Sequence, residues 1–268
     1  MTFRGASAEA YSALTSTLEG ALGKADAAQV GQDLFSVAEV LRAEPALRRV
    51  ATDVSVESTA KAGLVSELFA GKVQAPVAAL LGDAVSQRWT YASDLAKALE
   101  QLGVVATVRS AGSDAGRLST ELFQLGQLLK DNPDLRQALS DPARSTEDKR
   151  ALVHGLLAGK ALPATVALVD QSLAGTHRTV SVALDAYQQV VAEANGRAVA
   201  TVTVAKELAA SDLERINAAL ARQYEREVQL NVVVDPAVIG GVKVEIGGEV
   251  IDGTVASRLD DARRKLAV

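Results

Sequence analysis

The stretch VVVDPAVIGGVKVEIGGEVIDGTVASRL, residues 232–259, decides the fold of the C-terminal part of the chain. Apolar residues alternate before Asp235-Pro236 and again from Val242 to Ile246, which is the pattern of half-buried strands. Gly247-Gly248 predicts a tight hairpin, because two residues at positive φ suit a primed turn. After Asp252-Gly253-Thr254 the apolar spacing becomes helical. The stretch therefore predicts strand, hairpin and helix in that order.

Upstream of this stretch the same domain continues. Residues 198–204 and 228–234 are rich in β-branched residues, and a helical pattern at 211–224 separates them. Ser211 and Glu214 have the spacing of a capping box at the start of that helix. Residues 196–268 are therefore predicted to form a small α/β domain of order β-α-β-β-β-α.

The rest of the chain has helical periodicity and an internal repeat. At an offset of 88, residues 33–90 align with residues 121–178 without gaps, and 16 of the 58 pairs are identical. The matches include turn residues, such as Pro45 with Pro133, as well as apolar positions. We interpret this as a duplicated helical unit, with bundles at 1–108 and 109–195. The predicted class is α+β, mostly helical.

Two details of the helical part follow from local patterns. Ser93 or Asp94 is expected to cap a helix that closes the first bundle and opens the second. Residues 110–116, SAGSDAG, are expected to be a short flexible segment.

Composition excludes several classes of function. The chain of 268 residues has no cysteine, which removes disulfides, thiolate metal ligands and cysteine nucleophiles. Its net charge of −5 argues against a nucleic-acid partner, which would require clustered Lys and Arg. No run of 18 apolar residues occurs, so we expect a soluble chain that meets membranes only through partners.

No residue pattern predicts catalysis, a cofactor or a metal. His154 and His177 lack a second histidine or paired carboxylates at ligand spacing. The glycine pairs 240–241 and 247–248 match neither a dinucleotide fingerprint nor a P-loop, and turn geometry explains them. The acidic pairs Glu147-Asp148 and Asp260-Asp261 are typical of solvated helix faces.

Asp235 and Asp252 could in principle be catalytic carboxylates. A turn at Asp235, before Pro236, and a contribution of Asp252 to the cap of the last helix explain them better. Small apolar side chains between packed helices could instead leave grooves for a partner's amphipathic helix.

The residue order identifies a family. LLKDNPDLRQALSDPARSTEDKRALVHGLLAGK (128–160), Gly196-Arg197 leading into AVATVTVAKEL, and the opening stretch together resemble the delta subunit of F-type ATP synthase, the counterpart of the mitochondrial oligomycin-sensitivity-conferring protein. The resemblance covers about residues 118–266. Its structural signature comprises Asp235, Pro236, Ile239, Gly240, Gly241, Gly247, Gly248, Ile251, Asp252 and Gly253.

The resemblance implies a non-catalytic stator subunit without cofactor or metal. Such a subunit lies at the cytoplasmic face of the bacterial membrane, peripherally, and joins alpha subunits of the catalytic head to the b-type stalk subunit. This chain departs from the usual form by its additional helical copy, which looks like the long form of actinobacteria. That copy leaves open which bundle meets which partner, and no partner-binding residue is predicted.

Two other interpretations stay open at this point. One is a helical adaptor or scaffold unrelated to ATP synthase, and the other is an enzyme without a recognised motif. Co-purification with alpha and b subunits would favour the stator, whereas turnover of a small molecule by the isolated chain would favour an enzyme.

Overall fold

The chain forms two compact units, residues 1–190 and 191–268. The computed structural model describes residues 3–194, 197–225, 227–246 and 249–266. The first unit is helical and the second contains a four-stranded sheet, which confirms the α+β class. The division of the first unit into two bundles stays a prediction.

The helices of the first unit show the duplication directly. They are α1 (Ala6–Leu22), α2 (Ala27–Ala43), α3 (Pro45–Thr52), α4 (Ser58–Phe69), α5 (Ala75–Ser86), α6 (Ala92–Ser110), α7 (Ala115–Asp131), α8 (Pro133–Ser140), α9 (Thr146–Leu157), α10 (Pro163–Ala174) and α11 (Val180–Ala194). Helices α2 to α5 begin and end 88 residues before α7 to α10, and α6 begins 88 residues before α11. We call α2–α6 the first repeat and α7–α11 the second repeat.

The repeats also share their turns. Pro45 and Pro133 each begin a helix, where the missing N–H leaves no bond unmade. Gly71 and Gly159 have φ angles of 67° and 68°, a left-handed conformation that favours glycine. The segment 110–116 was expected to be flexible, but it contains a 3₁₀ turn at Gly112–Asp114 that leads directly into α7.

A partly buried polar contact is duplicated as well. The Asp33 carboxylate accepts the N–H of Gln74 at 2.7 Å, where α5 begins. The Glu121 carboxylate accepts the N–H of Leu162 at 2.9 Å, where α10 begins. Each carboxylate thus satisfies a donor that the helix itself leaves unpaired.

Helix α6 is the central helix of the first unit, with buried residues on every side of its axis. It packs against α1, α2 and α3 and also against α7 and α10. Two glycines allow α6 to approach α2 closely. A Cβ on Gly31 would clash with Thr107, and a Cβ on Gly103 would lie 2.6 Å from the Phe35 ring. Helix α6 thus contacts helices of both repeats, and its role in closing one bundle and opening another stays a prediction.

The expected cap of α6 is wrong. The residue before its first turn is Tyr91, which makes no side-chain cap. Asp94 lies inside the helix, where its carboxylate accepts the Ser7 hydroxyl at 2.8 Å, and Ser7 in turn accepts the N–H of Thr90 at 2.8 Å. Asp94 therefore fastens α1 to α6.

The second unit has the predicted order. Its elements are β1 (Arg197–Val204), α12 (Ala210–Tyr224), β2 (Glu227–Val234), β3 (Val242–Ile246), β4 (Glu249–Asp252) and α13 (Val255–Leu266). The strand order is β2-β1-β3-β4, with β1 parallel to β2 and antiparallel to β3, and β4 antiparallel to β3. Ile246 pairs with Glu249, so β3 and β4 form the predicted hairpin, and Gly247 and Gly248 between them lie outside the described residues.

One sheet face and α12 form the core of the second unit. Ala200, Val202 and Val204 are at most 2% exposed and pack with Leu220 of α12. The predicted capping box of α12 is wrong, because the helix begins one residue earlier than expected and Ala209 precedes it without a side-chain cap.

Candidate protein-binding surfaces

The signature residues after β2 form a tight turn. The Asp235 carboxylate accepts the N–H of Ala237 at 2.9 Å, and its carbonyl accepts the N–H of Val238 at 3.1 Å. The interpretation of Asp235 as a turn residue is confirmed. Pro236 lies within the turn, and Ile239 after it is 76% exposed.

Two glycine segments cross at the start of α13. The carbonyl of Gly240 accepts the N–H of Val255, and the carbonyl of Val242 accepts the N–H of Gly253, both at 2.9 Å. Gly241 has a φ of 86°, and a Cβ there would clash with the carbonyl oxygen of Gly253. These contacts hold α13 against the beginning of β3.

The cap of α13 involves Thr254, two residues after Asp252, which was expected to contribute to it. Thr254 is the capping residue, since its hydroxyl accepts the N–H of Ser257 at 3.2 Å. The Asp252 carboxylate accepts the N–H of Thr254 at 2.9 Å, and hydrogen bonds from Thr254 lower the pKa of Asp252. Asp252 thus supports the cap, while Ile251 packs against the sheet core.

The second unit exposes apolar side chains around this crossing. Ile239 is 76% exposed, Val255 is 39% exposed, and Leu259, one helical turn further, is 60% exposed. Val255 bonds to Gly240, the neighbour of Ile239, so the three residues lie in one region. We call Ile239, Val255 and Leu259 the C-terminal apolar surface.

An apolar groove lies in the second repeat. Its lining residues are all Leu or Val: Leu125, Leu128, Leu129, Leu135, Leu139, Val153, Leu156, Leu157, Val169, Val180 and Leu184. We call them the leucine groove. Among these residues, Leu128 is 41% exposed and Leu156 is 40% exposed.

The first repeat exposes the corresponding positions. Val40 and Leu68, 88 residues before Leu128 and Leu156, are each 38% exposed. Sequence reasoning did not predict these exposed positions, because a helical pattern does not show which of its apolar residues other helices cover. The available signal was that both exposed positions are apolar in both copies.

The histidines do not come together. His154 Nε2 lies 2.8 Å from an oxygen of Asp170, and the His177 ring meets Tyr187 edge to face at 5.7 Å. Burial lowers the pKa of His177. Among the described residues, no group of three or more His, Cys, Asp or Glu could hold a metal ion.

One of the two acidic pairs lies on a solvated helix face. Glu147 and Asp148 lie exposed in the first turn of α9, as predicted, and the Asp148 N–H is accepted by the Ser145 hydroxyl at 3.0 Å. The side chains of Asp260 and Asp261 lie outside the described part of the chain.

Known proteins match almost the whole chain. Residues 105–266 match the family model described as ATP synthase delta (OSCP) subunit. An ATP synthase subunit delta from a Nocardioides species is 53% identical and covers 99% of this chain and 98% of its own length. Those of Nocardia farcinica and Streptomyces avermitilis are 41% and 38% identical, covering 98% and 100% of this chain and 99% and 100% of their own lengths. These relatives therefore extend over the additional repeat.

A solved structure gives a looser match. A chain of the Toxoplasma gondii mitochondrial ATP synthase hexamer is 16% identical, with a TM-score of 0.35, over 57% of this chain and 97% of that chain. A score at this level supports no comparison of architecture.

Proposed function

The chain belongs to the ATP synthase delta (OSCP) subunit family, and we propose that it is the peripheral-stalk subunit that joins the catalytic head to the b stalk. The observation that carries this proposal is the near full-length similarity to delta subunits. The exposed apolar surfaces on both units support it, since a joint between polypeptides needs them and a small-molecule enzyme does not.

The leucine groove suits an amphipathic helix. Such a helix presents apolar residues at i, i+3, i+4 and i+7, and these anchors would pack on the exposed Leu128 and Leu156 of the leucine groove. We propose the N-terminal helices of the alpha subunits as the segments that bind there.

The C-terminal apolar surface suits the other end of the joint. Ile239, Val255 and Leu259 offer apolar contact on an amphipathic helix and a neighbouring turn. The glycine crossing holds these residues in a fixed arrangement, which lowers the entropy cost of binding. We propose that the end of the b subunit docks there.

The role is mechanical and not catalytic. Rotation of the central shaft exerts torque on the head, and a stator prevents the head from turning with it. Such a joint needs slow dissociation, which large apolar interfaces provide. The chain would act as a peripheral part of the membrane-bound complex at the cytoplasmic face, and none of the described helices combines the length and apolar content of a membrane span.

Pull-down with purified alpha and b subunits tests the proposal. Leu128→Glu should abolish binding of alpha but not of b, and Leu259→Glu should do the reverse, because each introduces a charge into one surface. Matched controls are Gln127→Glu, beside Leu128 on α7, and Gln223→Glu, which adds the same charge at an exposed position on α12 of the second unit. Absence of both partners from the wild-type pull-down would refute the proposal.

A further inference from the structure

A buried ion pair connects the last turn of α2 with the middle of α6. Arg42 Nη1 lies 2.6 Å from Glu100 Oε2, and the side chains are 20% and 3% exposed. A carboxylate so far removed from water needs a partner for each oxygen, since an unpaired buried charge is strongly destabilising. The remaining partners of both side chains come from the second repeat.

Both charged groups bind the end of α10. Arg42 Nη2 donates to the carbonyl of Ala174, the last residue of α10, at 3.0 Å. Glu100 Oε1 accepts the N–H of Thr176 at 3.2 Å. The last carbonyls of a helix lack intrahelical donors and carry partial negative charge, so a guanidinium is a favourable partner there. The ion pair therefore holds the chain on both sides of Gly175.

Gly175 makes room for this contact. A Cβ atom on Gly175 would clash with Glu100 Oε1 and would lie 2.9 Å from the carbonyl oxygen of Gln171. Its φ of −76° is open to any residue. Space, and not backbone conformation, thus requires glycine at this position.

The network is absent from the duplicated pattern. At the offset of 88, the counterparts of Arg42, Glu100 and Gly175 are Lys130, Gln188 and Gln87. The combination of Arg42, Glu100 and Gly175 therefore occurs where the two copies join and is not repeated at the corresponding place in the other copy. Their position and their hydrogen bonds both indicate that they hold the end of α10 against α2 and α6.

We propose that Arg42 and Glu100 are positioning residues that lock the second repeat onto the first, so that residues 1–190 transmit load as one body. The value of this stiffness rests on the proposed stator function. The lock itself can be measured in the isolated chain without any partner, so either proposal can fail while the other stands.

Distance measurements test the lock. The chain has no cysteine, so spin labels can be placed at Ser66→Cys in α4 and Gln137→Cys in α8, both exposed. We expect a narrow distance distribution in this labelled parent, and a broader one when Glu100→Met is added. Asp212→Asn, which removes an exposed ion pair with Arg215 in the second unit, is the control and should leave the distribution unchanged.

Hydrogen exchange provides a second readout. Loss of the charged acceptor should speed exchange of the Thr176 amide by about tenfold or more. If Glu100→Met does not fold, the double variant Arg42→Met/Glu100→Met carries the test, because it leaves no unpaired buried charge. A folded variant with the parent's distance distribution and the parent's Thr176 exchange would overturn the proposal.

Discussion

Replacing Gly241 by alanine should destabilise the second unit more than the same change at Gly240. The φ angle of Gly241 is 86°, and its added Cβ would clash with the Gly253 carbonyl and lie 2.8 Å from Thr254 Cα. Both of these atoms belong to backbone that cannot rotate away. At Gly240 the added Cβ would lie 3.4 Å from a methyl group of Val255, which is ordinary contact.

The magnitudes follow from these contacts. Left-handed backbone costs a non-glycine residue about 1–2 kcal/mol, and overpacking adds about 1–3 kcal/mol, so Gly241→Ala should cost about 2–5 kcal/mol. Gly240→Ala carries only the strain of its φ of 158°, about 1–3 kcal/mol. The clash is therefore what separates the two variants.

Native-state hydrogen exchange of β3 and β4 is the appropriate assay, because the single tryptophan, Trp89, lies in the first unit and does not report on the second. A loss of 2 kcal/mol should speed exchange of amides that open with the whole unit by roughly thirtyfold. Wild-type exchange rates in Gly241→Ala, or a larger effect in Gly240→Ala, would refute the reasoning.

Three further outcomes are expected. Asp33→Ala should cost about 1–3 kcal/mol, monitored by Trp89 fluorescence during denaturation, because the N–H of Gln74 loses its charged acceptor; an unchanged midpoint would contradict this. Burial opposes ionisation of Glu121, but its hydrogen bonds outweigh burial and lower its pKa below 4.5. Its stabilising contribution is therefore present above that pH and lost as the pH falls through the folded-state pKa, so Glu121→Gln should flatten the acid-induced loss of stability; identical acid profiles would count against it. Deleting residues 7–108 removes α6 as well as the additional helices, so we expect the truncated chain to lose cooperative unfolding by circular dichroism, whereas a sharp transition would show that α6 is dispensable.

The order of elements was predictable because it depends on local patterns. Pro45 and Pro133 indicate helix boundaries, and apolar alternation predicts the strands of the second unit. The offset of 88 then relates each boundary in the first repeat to one in the second. The turn at Asp235 was equally readable, since an Asp-Pro pair forms it from neighbouring residues.

The features that the sequence did not predict depend on contacts between residues far apart in the chain. Asp94 has the sequence position of a cap, yet its carboxylate binds Ser7, 87 residues earlier. Glu100 belongs to no sequence motif, yet it is buried and accepts the N–H of Thr176, 76 residues later. Leu128 follows the apolar spacing of α7, yet it is 41% exposed, because the helices of the second repeat that pack on α7 leave it partly uncovered. Sequence alone does not show such distant relations.

Proton pumping by a delta-depleted ATP synthase in membrane vesicles measures the joint most directly. The wild-type chain should restore ATP-driven proton uptake, because it holds the head against the torque of the shaft. Leu128→Glu and Leu259→Glu should each fail to restore uptake while each still binds one of the two partners. Uptake that does not respond to the wild-type chain, or that both variants restore fully, would contradict the stator account.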